Sequence, residues 1–317
     1  MKKKTKSSLK TTIFVFFSFL IVVIVALGFV GNFFYDIALN PKADNSIIIS
    51  EALDLTENKK SNRVKAINWM TDKEQDVYIT SGDNLRLHGY RLDNPETNKW
   101  AIILHGYGGN ALKMSIEAEH IYNLGYNVIM PDMRGCGESE GNAIGMGWLD
   151  RMDVLKWIDY IIANDEKAEI LLYGVSMGGA AVMMTTGEKL PQNVKCAVED
   201  CGYSSVKEEF DIQIDEFFGL PSFPVITSAD VVCFFRAGYT FEQASSVEQV
   251  KKSKTPTLFI HGSADEFVPF SMLDKVYNAA ECPKEKLVIE GAGHVGSSGT
   301  DPELYWSTVE NFINKYI

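Results

Sequence analysis

The chain has 317 residues, 46% of them hydrophobic, enough to bury a sizeable core, so an intrinsically disordered protein is excluded. Five of the 30 basic residues (Lys2, Lys3, Lys4, Lys6, Lys10) precede the first apolar run, and no acidic residue does. Beyond Gly31, 25 basic residues face 42 acidic ones, a balance of −17. A body that acidic is repelled by phosphate backbones, which argues against any nucleic-acid partner.

Residues Ile13 to Val30 are free of charge. As a helix they reach roughly 27 Å, close to the ~30 Å hydrocarbon core of a bilayer. The lysine cluster ahead of them is expected to stay cytoplasmic, which places the body on the other side of the membrane. The alternative is a cleaved signal peptide and a secreted body, because Ala26-Leu27-Gly28 is a small-x-small triplet. The apolar run continues through Phe33, Phe34 and Tyr35, which favours an anchor over residues 1–35. Residues 36–75 are polar and weakly patterned, and read as a connecting segment with one or two short helices.

From there strands and helices alternate over 76–317. Asp76–Thr80 and Leu85–Arg91 read as a hairpin around Ser81-Gly82-Asp83-Asn84. Trp100–His105, Asn127–Asp132, Glu169–Val175, Val194–Asp200, Thr257–Gly262 and Lys286–Glu290 are short apolar strands. Ala111–Leu124, Leu149–Asn164, a stretch from Ser176 and Leu304–Ile317 have helical spacing. Solid apolar strands separated by helices predict an α/β fold with a mostly parallel sheet flanked by helices. The gap between Asp200 and Thr257 is too long for a loop and is rich in phenylalanine. A helical cap insertion is expected there, over residues 206–254. The five cysteines are odd in number, show no metal-ligand spacing, and read mostly as small buried hydrophobes.

Gly174-Val175-Ser176-Met177-Gly178 matches G-x-S-x-G. The pattern is weak alone, but here an apolar strand runs into it and Gly179, Ala180 and Ala181 follow. A serine on a sharp strand-to-helix turn needs such small neighbours. A serine hydroxyl also needs an adjacent base. His294, in the Gly291-Ala292-Gly293-His294 loop after the last strand, is the histidine free to reach over the sheet edge. Asp265, just after the Thr257–Gly262 strand, is placed to orient that imidazole, with Glu266 and Asp132 as lesser candidates. The order Ser176, Asp265, His294 is the one this kind of fold uses. The oxyanion is expected to be held by the backbone N–H groups of Met177 and Tyr107.

The segments HGYGGN, PDMRGCGES, GVSMGG, HGSADEFVP and GAGH follow in that order. In this the chain resembles the α/β-hydrolase superfamily, and within it the membrane-anchored bacterial serine aminopeptidase-like and lysophospholipase-like hydrolases. The resemblance implies a cap between the sixth and seventh strands and a structural role for Asp132, Arg134, Gly135, Gly137 and Ser139. It implies a serine hydrolase acting through an acyl-enzyme on a small-molecule or lipid ester. Peptidase or acyltransferase activity on cell-surface substrates is the alternative, and a non-catalytic binding protein on the same scaffold is another. No metal cluster, dinucleotide loop or phosphate loop is visible in the sequence, so neither cofactor nor metal is implied. Oligomeric state is not legible.

Overall fold

The structure is a computed structural model that describes residues 2–43 and 57–317; residues 44–56 of the expected connecting segment lie outside them. Among the described residues eight strands form one sheet: β1 (Glu74–Thr80), β2 (Arg86–Leu92), β3 (Lys99–Leu104), β4 (Asn127–Pro131), β5 (Glu169–Val175), β6 (Val194–Asp200), β7 (Thr257–Gly262) and β8 (Lys284–Ile289). Their order is β1-β2-β4-β3-β5-β6-β7-β8. The first two strands run antiparallel to their neighbours, and every pair from β4 to β8 is parallel.

The solid apolar runs follow from coverage of both faces. Along β3, Trp100, Ile102 and Leu104 enter one core while Ala101 and Ile103 enter the other. Along β5, Ile170 and Leu172 separate in the same way from Leu171, Tyr173 and Val175. A strand's side chains alternate, so only a sheet buried on both faces makes every position apolar. One face is covered by α4 (Asp150–Asn164) and α5 (Met177–Thr186), through Trp157, Ile158, Ala180 and Met184. The other is covered by α3 (Ser115–Asn123) and α11 (Pro302–Ile313), through Ala118, Ile121, Tyr305 and Phe312. Helix α2 (Glu57–Met70) lies beside α3, and α9 (Ser271–Ala279) and α10 (Ser297–Thr300) complete the body.

Between β6 and β7 the chain builds α6 (Val206–Phe218), α7 (Ser222–Ala237) and α8 (Ser246–Val250). Ser205 caps α6 by accepting from Glu208 N, and Gly219 closes it in the left-handed region. All five cysteines are buried and free.

Helix α1 (Lys2–Leu39) is continuous over 38 residues. Its segment Lys10–Leu39 is long and apolar enough to cross a membrane, with a mean hydropathy of 3.2 in a window of which none is buried. The helix runs past the expected end at residue 35 because its last two turns belong to the body. Tyr35 and Leu39 are fully buried, each adding about 1.5–3 kcal/mol. Arg236 of α7 donates to Asn32 Oδ1 at 2.9 Å and to Asp36 Oδ1 at 2.8 Å. The Tyr107 hydroxyl donates to the Ala38 carbonyl at 2.8 Å.

Gly31 sets how closely the two helices approach, since a Cβ there would lie 2.3 Å from the Ser228 carbonyl oxygen of α7. Gly28, one turn earlier, has nothing within 4 Å. Gly31→Val is therefore expected to destabilise the detergent-solubilised protein by about 1–3 kcal/mol, read as a lowered thermal midpoint. Gly28→Val is expected to leave that midpoint within a degree, and equal losses for both would contradict the packing.

Candidate active site

Strand β5 ends at Val175 and α5 begins at Met177, so Ser176 alone makes the turn, at φ 58° and ψ −120°. That left-handed region is costly for a residue with a side chain. It is held because Ser176 N donates to the Asp200 carbonyl at 2.8 Å and Ala180 N donates to the Ser176 carbonyl at 2.9 Å. The glycines are sterically required. A Cβ on Gly174 would lie 2.2 Å from the Gly178 carbonyl oxygen, and one on Gly178 would lie 2.2 Å from that of Leu104.

Two more loops converge on this turn. The loop after β8 carries His294, and the loop after β7 carries Asp265. Ala264 N donates to the Ala292 carbonyl at 3.0 Å, and Gly291 N to Ser263 Oγ at 2.8 Å, so the two loops are hydrogen-bonded to each other. Ser176 Oγ lies 2.9 Å from His294 Nε2, and His294 Nδ1 lies 2.8 Å from Asp265 Oδ2. With the carboxylate accepting from Nδ1–H, Nε2 is left to accept the serine proton. Asp265 Oδ1 accepts from Phe267 N at 3.1 Å and Val268 N at 2.9 Å. Burial would raise the Asp265 carboxyl, but hydrogen bonds from His261 and His294 outweigh it and hold it below the usual range.

The other histidines are committed elsewhere. His88 bridges Asp132 and Asp76, His120 bonds Glu310, and His261 sits behind Asp265 with Nε2 2.9 Å from the Val268 carbonyl. His105 Nδ1–H donates to the Gly106 carbonyl while Nε2 accepts from Met133 N. Glu266 is exposed. Asp132 is occupied too: beyond His88 it accepts from Ala111 N and Glu138 N, and a Cβ on Gly137 would strike its carboxyl group at 2.1 Å. Together with the Arg134–Asp153 pair at 2.7 Å, it shapes the loops around the sheet edge.

Ser176 and His294 line one cleft. Tyr107 and Phe267 also line a second, largely apolar cavity beneath the cap helices. The walls of that second cavity include Phe34, Ile37 and Ala38 of α1 and Phe210, Ile214 and Phe217 of α6. The contribution of α1 has no sequence signal, because a pocket wall and a lipid-facing surface demand the same apolar residues. Met177 is buried at the first position of α5, directly after the serine. Cys201, Asp265 and His294 each bring one possible metal-ligand atom within 4.8 Å of the others. The last two are already satisfied by each other, and burial, with the charges of Asp200 and Asp265, drives the Cys201 thiol well above its ordinary range. That set suits a hydrogen-bonded pair better than a metal, which needs a thiolate.

The match to the family model described as the alpha/beta hydrolase fold spans residues 100–224. The uncharacterized protein YfhR of Salmonella typhi is 30% identical over 251 residues, 75% of this chain and 81% of its own. The uncharacterized protein YqkD of Bacillus subtilis is 26% identical over 270 residues, 81% of this chain and 88% of its own. Among solved structures, an esterase of Pyrococcus furiosus superposes with a TM-score of 0.63 at 25% identity, covering 77% of this chain and 93% of its own. The chain belongs to the α/β-hydrolase superfamily, and its fold and neighbours support a hydrolytic function.

Two buried carboxyls near the site make stability depend on pH. Glu199 and Glu209 are each pushed up to about 8, first by burial. The unfolded chain releases these protons near pH 4.3, so between about pH 4 and 8 the folded state binds more protons, and stability falls as pH rises. The depressed Asp265 acts in the opposite sense only below about pH 4, outside this window. The thermal midpoint is expected to drop from pH 5 to pH 8, and Glu199→Gln to flatten the drop. A midpoint that climbs across the window would contradict the assignment.

Proposed function

We propose that the protein is a membrane-anchored serine hydrolase that cleaves carboxylic esters through Ser176, His294 and Asp265. Ser176 Oγ attacks the ester carbonyl carbon as His294 Nε2 takes its proton, and Asp265 stabilises the imidazolium. The backbone N–H groups of Met177 and Tyr107 are the donors assigned to the oxyanion. His294 then protonates the departing alcohol oxygen, and water, activated by the same imidazole, releases the acid. The observation that carries this reading is the hydrogen-bonded sequence Ser176–His294–Asp265, at 2.9 and 2.8 Å, on a strained strand-to-helix turn.

The apolar cavity under the cap supports medium acyl chains or lysolipids as substrates, since walls of this chemistry favour hydrocarbon. Anchoring by α1, with its N-terminus cytoplasmic and the body across the membrane, rests on the charge-free run and the lysines before it. The reaction draws on no cofactor.

A fluorophosphonate probe, followed by a series of esters of increasing acyl length, tests both parts. The parent protein is expected to take the label and Ser176→Ala to lose it, while Asp265→Asn lowers kcat by about 10⁴-fold. Hydrolysis should peak at an intermediate chain length. Label persisting in Ser176→Ala would overturn the nucleophile, and a flat chain-length profile would overturn the acyl pocket.

A further inference from the structure

Two basic side chains reach the cleft that holds Ser176 and His294. Arg63 comes from α2, and Lys113 from the short turn Ala111–Met114 after β3. Neither belongs to the cap, and they lie in the cleft that holds Ser176, not in the apolar cavity. Arg63 Nε is buried without a hydrogen-bond partner. Burial lowers the Arg63 guanidinium from its usual value, and the charge of Glu117 only partly opposes this. Lys113 is also lowered, first by burial and then by the charge of Arg63, so the two cations stand close enough to repel one another. Among the described residues lining this cleft, Glu117 is the acidic one beside the two cations, in a body that is otherwise strongly acidic.

Holding two like charges together, with a guanidinium donor desolvated and unused, is unfavourable unless an acceptor arrives to satisfy it. An oxyanion would do so. It accepts from the guanidinium fork, neutralises the repulsion, and gains from the partly dehydrated surroundings. An ester bound at Ser176 has two halves, and the site offers two unlike places for them. The acyl chain fits the apolar cavity beyond Tyr107 and Phe267, and the alcohol is left in the cationic cleft.

We propose that Arg63 and Lys113 form an anion subsite for the leaving alcohol, so that the substrate is an acyl ester whose alcohol carries a phosphate or carboxylate. This rests on the ester-hydrolase reading above. The acyl carbon–oxygen bond is the one broken. The alcohol oxygen receives its proton from His294, and the anionic group departs with it unchanged.

The test uses full-length protein in neutral detergent and three octanoyl esters, of glycerol, glycerol 3-phosphate and glyceric acid. The quantity read is the ratio of kcat/KM for each charged ester to that for the neutral one. In the parent this ratio is expected to be about tenfold or more, one good charged hydrogen bond's worth, and to shrink as salt screens the cleft. The double variant Arg63→Gln, Lys113→Gln should bring it close to one, and Arg63→Lys should keep part of it. A merely structural defect would lower all three rates together and leave the ratio standing. Inorganic phosphate should also slow fluorophosphonate labelling of the parent, relative to chloride at equal ionic strength, but not of the double variant. A parent ratio at or below one, or a double variant that keeps the parent's ratio, overturns the subsite. Hydrolysis surviving in Ser176→Ala overturns the nucleophile instead, and the ratio still reports on the cleft.

Discussion

The structure turns on one residue held where its backbone resists being. Ser176 bridges β5 and α5 in a left-handed conformation, tied to the Asp200 carbonyl, while the glycines at 174 and 178 allow the close packing that a side chain at either position would block. The cost of such a conformation is of order 1–3 kcal/mol, and the core on both sides of the sheet supplies the stability that tolerates it. In return the hydroxyl stands clear of the strand end, within reach of a ring carried by a loop 118 positions later. The Asp265 and His294 loops matter because they are hydrogen-bonded to each other as well as aligned on the serine.

Parallel strands bring these distant positions together. Every strand from β4 to β8 runs the same way, so the loops after β3, β5, β7 and β8 all emerge at one edge of the sheet. The first of these carries Tyr107, the second Ser176, the third Asp265 and the fourth His294. The cap leaves the sheet at the same edge, after β6, and roofs the apolar cavity. Helix α1 then closes that cavity from outside, so the segment that looks like a tether is also part of the wall.

Much of this was legible in the sequence, for identifiable physical reasons. Strands buried on both faces leave solid apolar runs, and the strand-to-helix turn at Ser176 leaves a string of small residues that few other structures require. The Gly291-Ala292-Gly293-His294 loop was legible because its glycines mark a tight path after a strand. What could not be read depends on contacts between remote segments. Arg63 sits in a polar stretch with no periodicity, and only the packing of α2 beside α3 brings it to the cleft. The Tyr107 side chain reads as a loop aromatic, yet its hydroxyl holds the end of α1. Glu199 looks like an ordinary strand-end acid, and only its complete burial sets its protonation apart.

Direct observation of the covalent intermediate tests the central claim more sharply than any rate. Full-length protein mixed with excess p-nitrophenyl octanoate, quenched in acid within the first turnover and digested, should yield one octanoylated peptide containing Ser176. Octanoyl mass found on a different residue, with the Ser176 peptide unmodified, would contradict the account.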